Sequence, residues 1–159
     1  MSDQTLPIVV AVGLVLVAAI GGGALTRIGP WYRSLKKSSL NPPDWAFPTA
    51  WTLIYLVTGT AGVLAWHSLA PGDERLIFLG LIGLNMILNV AWSGLFFTLQ
   101  RPDWALGEVA ALWLSVLALC LWVWPANGLA GALFLPYLAW TAFAAWLNLR
   151  VYTLNRPFA

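Results

Sequence analysis

The sequence predicts an all-α integral membrane protein, a bundle of five transmembrane helices forming a single domain over residues 1–159. Three observations predict it. Hydrophobic residues make up 60% of the chain and charged residues 9%, with a mean hydropathy of +0.79, too little polar surface to cover a water-soluble globule. The apolar residues fall into five runs, each long enough to cross a hydrocarbon core of about 30 Å at about 1.5 Å per residue. Between the runs lie short segments rich in Pro, Gly and charge.

The first expected span covers residues 6–25. Its small residues Ala18, Ala19 and Gly21 to Ala24 resemble the end of a secretory leader, but residues 2–5 carry Asp3 and no Lys or Arg, so the segment reads as a retained helix. Ala18 with Gly22 and Ala19 with Gly23 are small-xxx-small pairs, suited to helix packing or a dimer face. Residues 26–44 form a long loop with Arg27, Arg33, Lys36 and Lys37, ending in the rigid Asn41-Pro42-Pro43. The second span runs over 45–67, with Pro48 in its first turn, where a missing N–H is harmless. Residues 68–75, with Pro71-Gly72 and the charged Asp73, Glu74 and Arg75, read as a turn. The third span covers 76–99 and closes at Gln100-Arg101-Pro102-Asp103, with Asp103 expected to cap the fourth, 104–124. Glu108 is placed near the positive end of that helix, where its dipole favours a carboxylate. Pro125 to Gly128 make a tight turn before the fifth span, 129–152.

Charge then assigns sides. The first loop, the Arg101 turn and the C-terminal segment hold Arg27, Arg33, Lys36, Lys37, Arg101, Arg150 and Arg156, and the opposite side only Arg75. The positive-inside rule puts the first loop and the C-terminus in the cytoplasm and the N-terminus outside; it does not choose between inner and outer membranes. No basic helix with interleaved aromatics supports nucleic-acid binding. The single cysteine, Cys120, lies in an apolar run and reads as a buried small hydrophobe. No metal site is expected, since the lone His67 falls at the interfacial end of the second span. The middles of the expected spans carry no Asp, Glu, Lys or Arg, which argues against a proton pump or ion-coupled transporter.

Three stripes are more informative. Asn85, Asn89, Trp92 and Phe96 share one face of the third span; Tyr137, Trp140, Ala144 and Asn148 share one of the fifth; Trp51, Tyr55, Thr58 and Gly62 share one of the second. Each mixes aromatic rings, amides or hydroxyls, and small residues. Such stripes serve helix packing, with Asn as interhelical glue, and they also suit a pocket wall. Among the eleven tryptophans, Trp31, Trp66, Trp104, Trp122 and Trp124 suit the interfacial belt, whereas Trp51, Trp92 and Trp140 belong to stripes.

The stretch WYRSLKKSSLNPPDWAFPTAWTLIY (31–55), Asn89-Val90-Ala91-Trp92 with Phe96-Phe97, and Pro136-Tyr137-Leu138-Ala139-Trp140 with Leu147-Asn148 resemble the TspO/MBR family of tryptophan-rich sensory and translocator proteins. The resemblance covers nearly the whole chain. It implies a five-helix bundle, commonly a homodimer, with a ligand pocket capped by the first loop; Gly80 and Gly83 on the third span join the first span as candidate dimer faces. Implied ligands are porphyrins such as protoporphyrin IX and haem, sterols, and benzodiazepine-type compounds; no obligatory cofactor is implied. Carried onto this chain, the pocket aromatics are Trp51 and Trp140, with Trp45, Trp92, Ala144 and Leu147 nearby and Trp31 in the lid. The residues add Tyr55, Asn89, Phe96, Tyr137 and Asn148 as ligand-binding candidates, with Arg33, Lys36 and Lys37 to meet ligand carboxylates. Two departures stand out. The family's lysine-proline pair appears here as Lys36-Lys37-Ser38, which implies a looser lid, and the sterol-type pattern at residues 149–156 has its tyrosine displaced.

The function expected is that of a membrane receptor or sensor binding porphyrins, and secondarily sterols or benzodiazepine-type ligands, and regulating tetrapyrrole level or transport. Two alternatives are a passive porphyrin or sterol transporter, and light-dependent porphyrin breakdown using Trp51 and Trp140. No acid-base or nucleophile constellation points to ordinary catalysis.

Overall fold

The computed structural model describes residues 5–158, and every regular element among them is helical. In chain order these are α1 (Thr5–Leu25), α2 (Pro30–Ser34), α3 (Ala46–Ser68), α4 (Asp73–Ser93), a π-helical turn (Gly94–Thr98) continuing α4, α5 (Pro102–Val123), α6 (Gly128–Leu133) and α7 (Leu135–Asn155). Asp3, on which the reading of the first span as a retained helix turned, lies outside the described residues. Five segments are long and apolar enough to cross a membrane: Pro7–Leu25, Ala46–Ser68, Asp73–Thr98, Pro102–Val123 and Gly128–Asn155. The protein is a multi-pass, all-α membrane bundle, as its composition requires.

Five local expectations are corrected. Asp73, Glu74 and Arg75 do not form a turn but begin α4; two carboxylates in a first turn complement its free N–H groups, and Gly72, at φ 100°, makes the reversal that lets the helix start there. The fifth span is two helices, broken at Phe134, because Pro136 has no N–H to continue the ladder. The long loop contains α2, with Pro30 at its first turn. Asp103 does not cap α5; it lies inside the helix and binds Arg101, whose Nε donates to Oδ1 at 2.8 Å. Glu108 is not at the positive end: it sits six residues beyond Pro102, and both its carboxyl oxygens are buried without a hydrogen-bond partner among the described residues.

α5 packs between α4 and α7, α1 lies against α3 and α4, and α3 also meets α6. α1 leaves Val9, Val12, Leu16, Val17 and Ile20 exposed, the face a bilayer covers. Its Ala18-Gly22 row faces inward, with Ala18 buried and a side chain at Gly22 coming within 3.8 Å of Ser93 Oγ, so this row is a seam with α4. Gly80 and Gly83 have no neighbour within 4 Å of an added side chain. At the end away from the first loop, Ala61, Ala65, Phe78, Leu119, Val123 and Phe134 pack into one cluster, in which Cys120 is a buried free thiol. Arginines cover belt tryptophans at both ends: Arg75 lies 4.8 Å from the Trp66 ring and Arg101 4.3 Å from that of Trp104.

The α5–α6 corner is the tightest joint. A side chain on Gly131 would meet Trp124 Cε3 at 2.8 Å and the Trp124 Cα at 3.0 Å, and the backbone atom cannot step aside. Gly131→Ala should therefore destabilise the bundle by about 1–3 kcal/mol, whereas Gly83→Ala, in open space, should be neutral or slightly stabilising. Thermal melts of the two variants in one detergent check this; equal midpoints would refute the close-packing account.

Candidate functional site

A cavity of about 430 Å3 opens among α1, α3, α4, α7 and the first loop, within the size range of small-molecule sites. α3 supplies Phe47, Trp51, Thr52 and Tyr55, one side of a helix running from the Asn41-Pro42-Pro43 bend. α4 and its π turn supply Asn89, Trp92, Ser93, Phe96 and Phe97, and α7 supplies Trp140, Ala144, Leu147, Asn148 and Val151. On the α1 side the wall is Ala19, Gly22 and Gly23, whose small size leaves the space open. The loop adds Tyr32, Asn41 and Asp44 at the mouth.

The aromatic walls are ordered against one another. Trp51 stacks on Tyr55 at 5.3 Å between ring centres and meets Tyr137 edge-on at 6.0 Å. Trp92 stacks on Phe96 at 5.4 Å and meets Phe97 edge-on at 5.9 Å. Phe47 meets Trp140 at 6.1 Å. These offset and T-shaped arrangements are the favoured ones for rings with a negative face and a positive edge, so the rings lining the cavity are held in preset positions.

Behind the aromatics runs a chain of buried hydrogen bonds. The Tyr55 hydroxyl donates to Asn89 Oδ1 at 3.4 Å, and Asn89 Nδ2 donates to the Tyr137 hydroxyl at 3.0 Å. That hydroxyl donates to Asn85 Oδ1 at 3.2 Å, Asn85 Nδ2 donates to Ser115 Oγ at 2.8 Å, and Ser115 donates to the Leu112 carbonyl at 2.7 Å. The chain crosses α3, α4, α7 and α5. In lipid these groups have no water to turn to, so each bond selects one rotational setting of its helix.

The first loop is held at one point by a side chain gripping its backbone and at another by a ring. Asn155, at the end of α7, accepts from the Lys36 N–H and donates to the Lys36 carbonyl, both at 2.8 Å. Lys37 Nζ lies 3.7 Å from the centre of the Tyr32 ring, which itself packs on Phe96 and Phe97. Burial pushes the Tyr32 phenol up, against a hydrogen bond from Asn41 that lowers it. Burial likewise holds the Lys37 ammonium below its ordinary range, with Asp44 opposing that shift.

Of the residues expected to bind ligand, Trp51, Tyr55, Asn89, Trp92, Phe96, Trp140, Ala144, Leu147 and Asn148 come together on the cavity wall. Tyr137 is buried behind Trp51 and lines a smaller cavity of about 90 Å3 under α1. Trp31 packs edge-on to Phe96 at 6.0 Å, outside the lining. Trp45 is 69% exposed and also outside it. Arg33 and Lys36 are exposed on the lid, and Lys37 is engaged with Tyr32. Phe47 was missed although it precedes Trp51 by one helical turn and continues its stripe. Phe97 joins Phe96 because the π turn admits an extra residue, which no α-helical spacing anticipates. Tyr32 and Asp44 depend on the path of the loop.

The chain is similar to known proteins along nearly its whole length. The family model described as TspO/MBR family matches residues 10–154. The chain is 32% identical to the tryptophan-rich protein TspO of Chlorobaculum tepidum over 157 residues, covering 98% of this chain and 99% of the relative. It is 34% identical to protein CrtK of Rhodobacter capsulatus, covering 91% of each. The translocator protein of Sus scrofa is 35% identical, over 92% of this chain and 90% of its own length.

The polar chain makes its own prediction. Tyr137→Phe removes the hydroxyl that both accepts from Asn89 and donates to Asn85, leaving two buried amide groups short of a partner at about 1–3 kcal/mol. A lower unfolding midpoint in detergent is expected, with Tyr55→Phe, whose bond is the longest at 3.4 Å, showing the smaller loss. The reverse order would mean that the chain does not run through Tyr137.

Proposed function

The chain belongs to the TspO/MBR family, and from that premise we propose that it is a membrane sensor that takes a porphyrin, protoporphyrin IX or haem, into the cavity and regulates tetrapyrrole level or transport. The observation that carries the reading is the cavity itself, about 430 Å3 of space walled on three sides by Trp51, Trp92 and Trp140 with Phe47, Tyr55 and Phe96. Indole and phenyl faces stack on a flat apolar macrocycle, and the small residues of α1 leave room for its edge. The exposed Arg33 and Lys36 stand on the lid, where propionates at the membrane surface would meet them. In this reading the lid faces the cytoplasm, since the basic ends lie on its side of the bundle, and two copies form the working unit.

The test is a fluorescence titration of the detergent-purified protein with protoporphyrin IX. Wild-type quenching should saturate, and the Trp51→Phe, Trp140→Phe double variant should bind at least tenfold more weakly, about 1.4 kcal/mol. Equal curves would return these tryptophans to a packing role.

Charge is tested separately. Arg33→Gln with Lys36→Gln should weaken protoporphyrin IX binding about threefold to tenfold at low salt, and less at high salt, since both groups are exposed and screened. The dimethyl ester of the same porphyrin, lacking carboxylates, should bind both proteins equally. A loss of ester affinity as large as that of the free acid would refute a role in meeting propionates.

A further inference from the structure

Five buried polar atoms have no hydrogen-bond partner among the described residues: Trp92 Nε1, both carboxyl oxygens of Glu108, and both ends of the Asn148 carboxamide. They fall in one layer. Phe96, Ala105 and Val151 belong to one packed cluster at the loop end of the bundle, and one helical turn inward from these three lie Trp92 on α4, Glu108 on α5 and Asn148 on α7. The Tyr137 hydroxyl is within electrostatic reach of Glu108 as well. Trp92 and Asn148 line the cavity, and Asn148 is only 1% exposed; Glu108 is outside the lining.

Glu108 stands about 9 Å along α5 from its first residue, inside a membrane span, with no ion-pair partner among the described residues. α4 buries Asn85 and Asn89 and sets Trp92 on the cavity wall, and α7 buries Tyr137 and Asn148. The π turn carries no titratable group, and the loop contributes Tyr32 to the neighbouring cluster. On α5 itself, Asp103 is paired with Arg101, and Arg150 on α7 is exposed. A carboxylate in such a place keeps its charge only while water reaches it, and the two other unpartnered side chains of its layer, Trp92 and Asn148, line the cavity.

We propose that Glu108 is a proton-binding site coupled to occupation of the cavity. A guest seated against Trp92 and Asn148 closes that side of the layer to water, which disfavours the charged carboxylate, and one proton from bulk solvent adds to a carboxyl oxygen. The neutral acid presents one O–H donor and one carbonyl acceptor, the set that a carboxamide and an indole N–H complement. The coupling to guest binding rests on the reading of the cavity as a tetrapyrrole site; the proton site itself does not.

Two measurements test it. In ligand-free protein, the infrared C=O stretch of a protonated carboxylic acid is followed from about pH 9 to pH 5, the range into which buried carboxyls are displaced. A titrating band present in the wild type and absent in Glu108→Gln is expected, and a band that does not change, or that persists in the variant, overturns the proposal. In weakly buffered detergent near neutral pH, protoporphyrin IX dimethyl ester, whose propionates cannot titrate, is then added. Wild type should take up close to one proton per bound ester and Glu108→Gln none, while both quench tryptophan fluorescence. Quenching with no proton uptake, or equal uptake by both proteins, overturns the coupling. Absence of quenching in the wild type would instead overturn the tetrapyrrole reading, and the infrared titration would still decide the proton site.

Discussion

The structure depends on one interaction: the chain of hydrogen bonds through which amides and hydroxyls in the hydrocarbon core find partners on neighbouring helices. Asn85 and Asn89 bond to Ser115 and Tyr137 on two neighbouring helices, and Tyr55 brings in a third. Apolar lipid exerts little pressure for one apolar helix face over another, so such bonds decide which faces meet. Once Asn89 is turned toward Tyr137, Trp92 and Phe96 follow on the same face of α4, and Trp51 is brought edge-on to the same tyrosine. The aromatic walls therefore take their positions from a polar chain standing behind them.

The open space has its own cause. Rings at 5–6 Å from one another brace both long walls, while α1 faces them with Ala19, Gly22 and Gly23, which cannot reach across. Close contact falls beside that wall, where a side chain at Gly21 would come within 3.3 Å of Val90 and one at Gly22 within 3.8 Å of Ser93 Oγ. α1 thus packs against α4 and leaves the cavity open with the same set of small residues.

Much of this was legible in the sequence because it rests on period and composition. Five apolar runs required five spans, and the spacing of Asn85, Asn89, Trp92 and Phe96 required a common face. What escaped depends on departures from period or on tertiary path. The π turn changes the register after Ser93, so Phe97 turns inward beside Phe96. Pro136 divides the last span, and hydropathy does not register a break between two apolar halves. Trp45 shares the aromatic-rich segment with Trp51 but precedes the helix and faces outward. Glu108 read as a carboxylate near the positive end of its helix because α5 was expected to begin later than it does, and its carboxyl oxygens are buried in a bundle where α5 packs against α4 and α7.

The attachment of the lid separates two properties that usually travel together. Asn155 grips the backbone of residue 36 from 119 positions away, and it touches only the N–H and the carbonyl. Closure is therefore written into the asparagine and is indifferent to the side chain it holds in place, provided that residue keeps its N–H. Position 36 is left free to change sign, length or bulk without unfastening the loop, so within this architecture the charge shown to the cytoplasmic or external solution can drift or be redesigned while the shape of the chamber below stays the same.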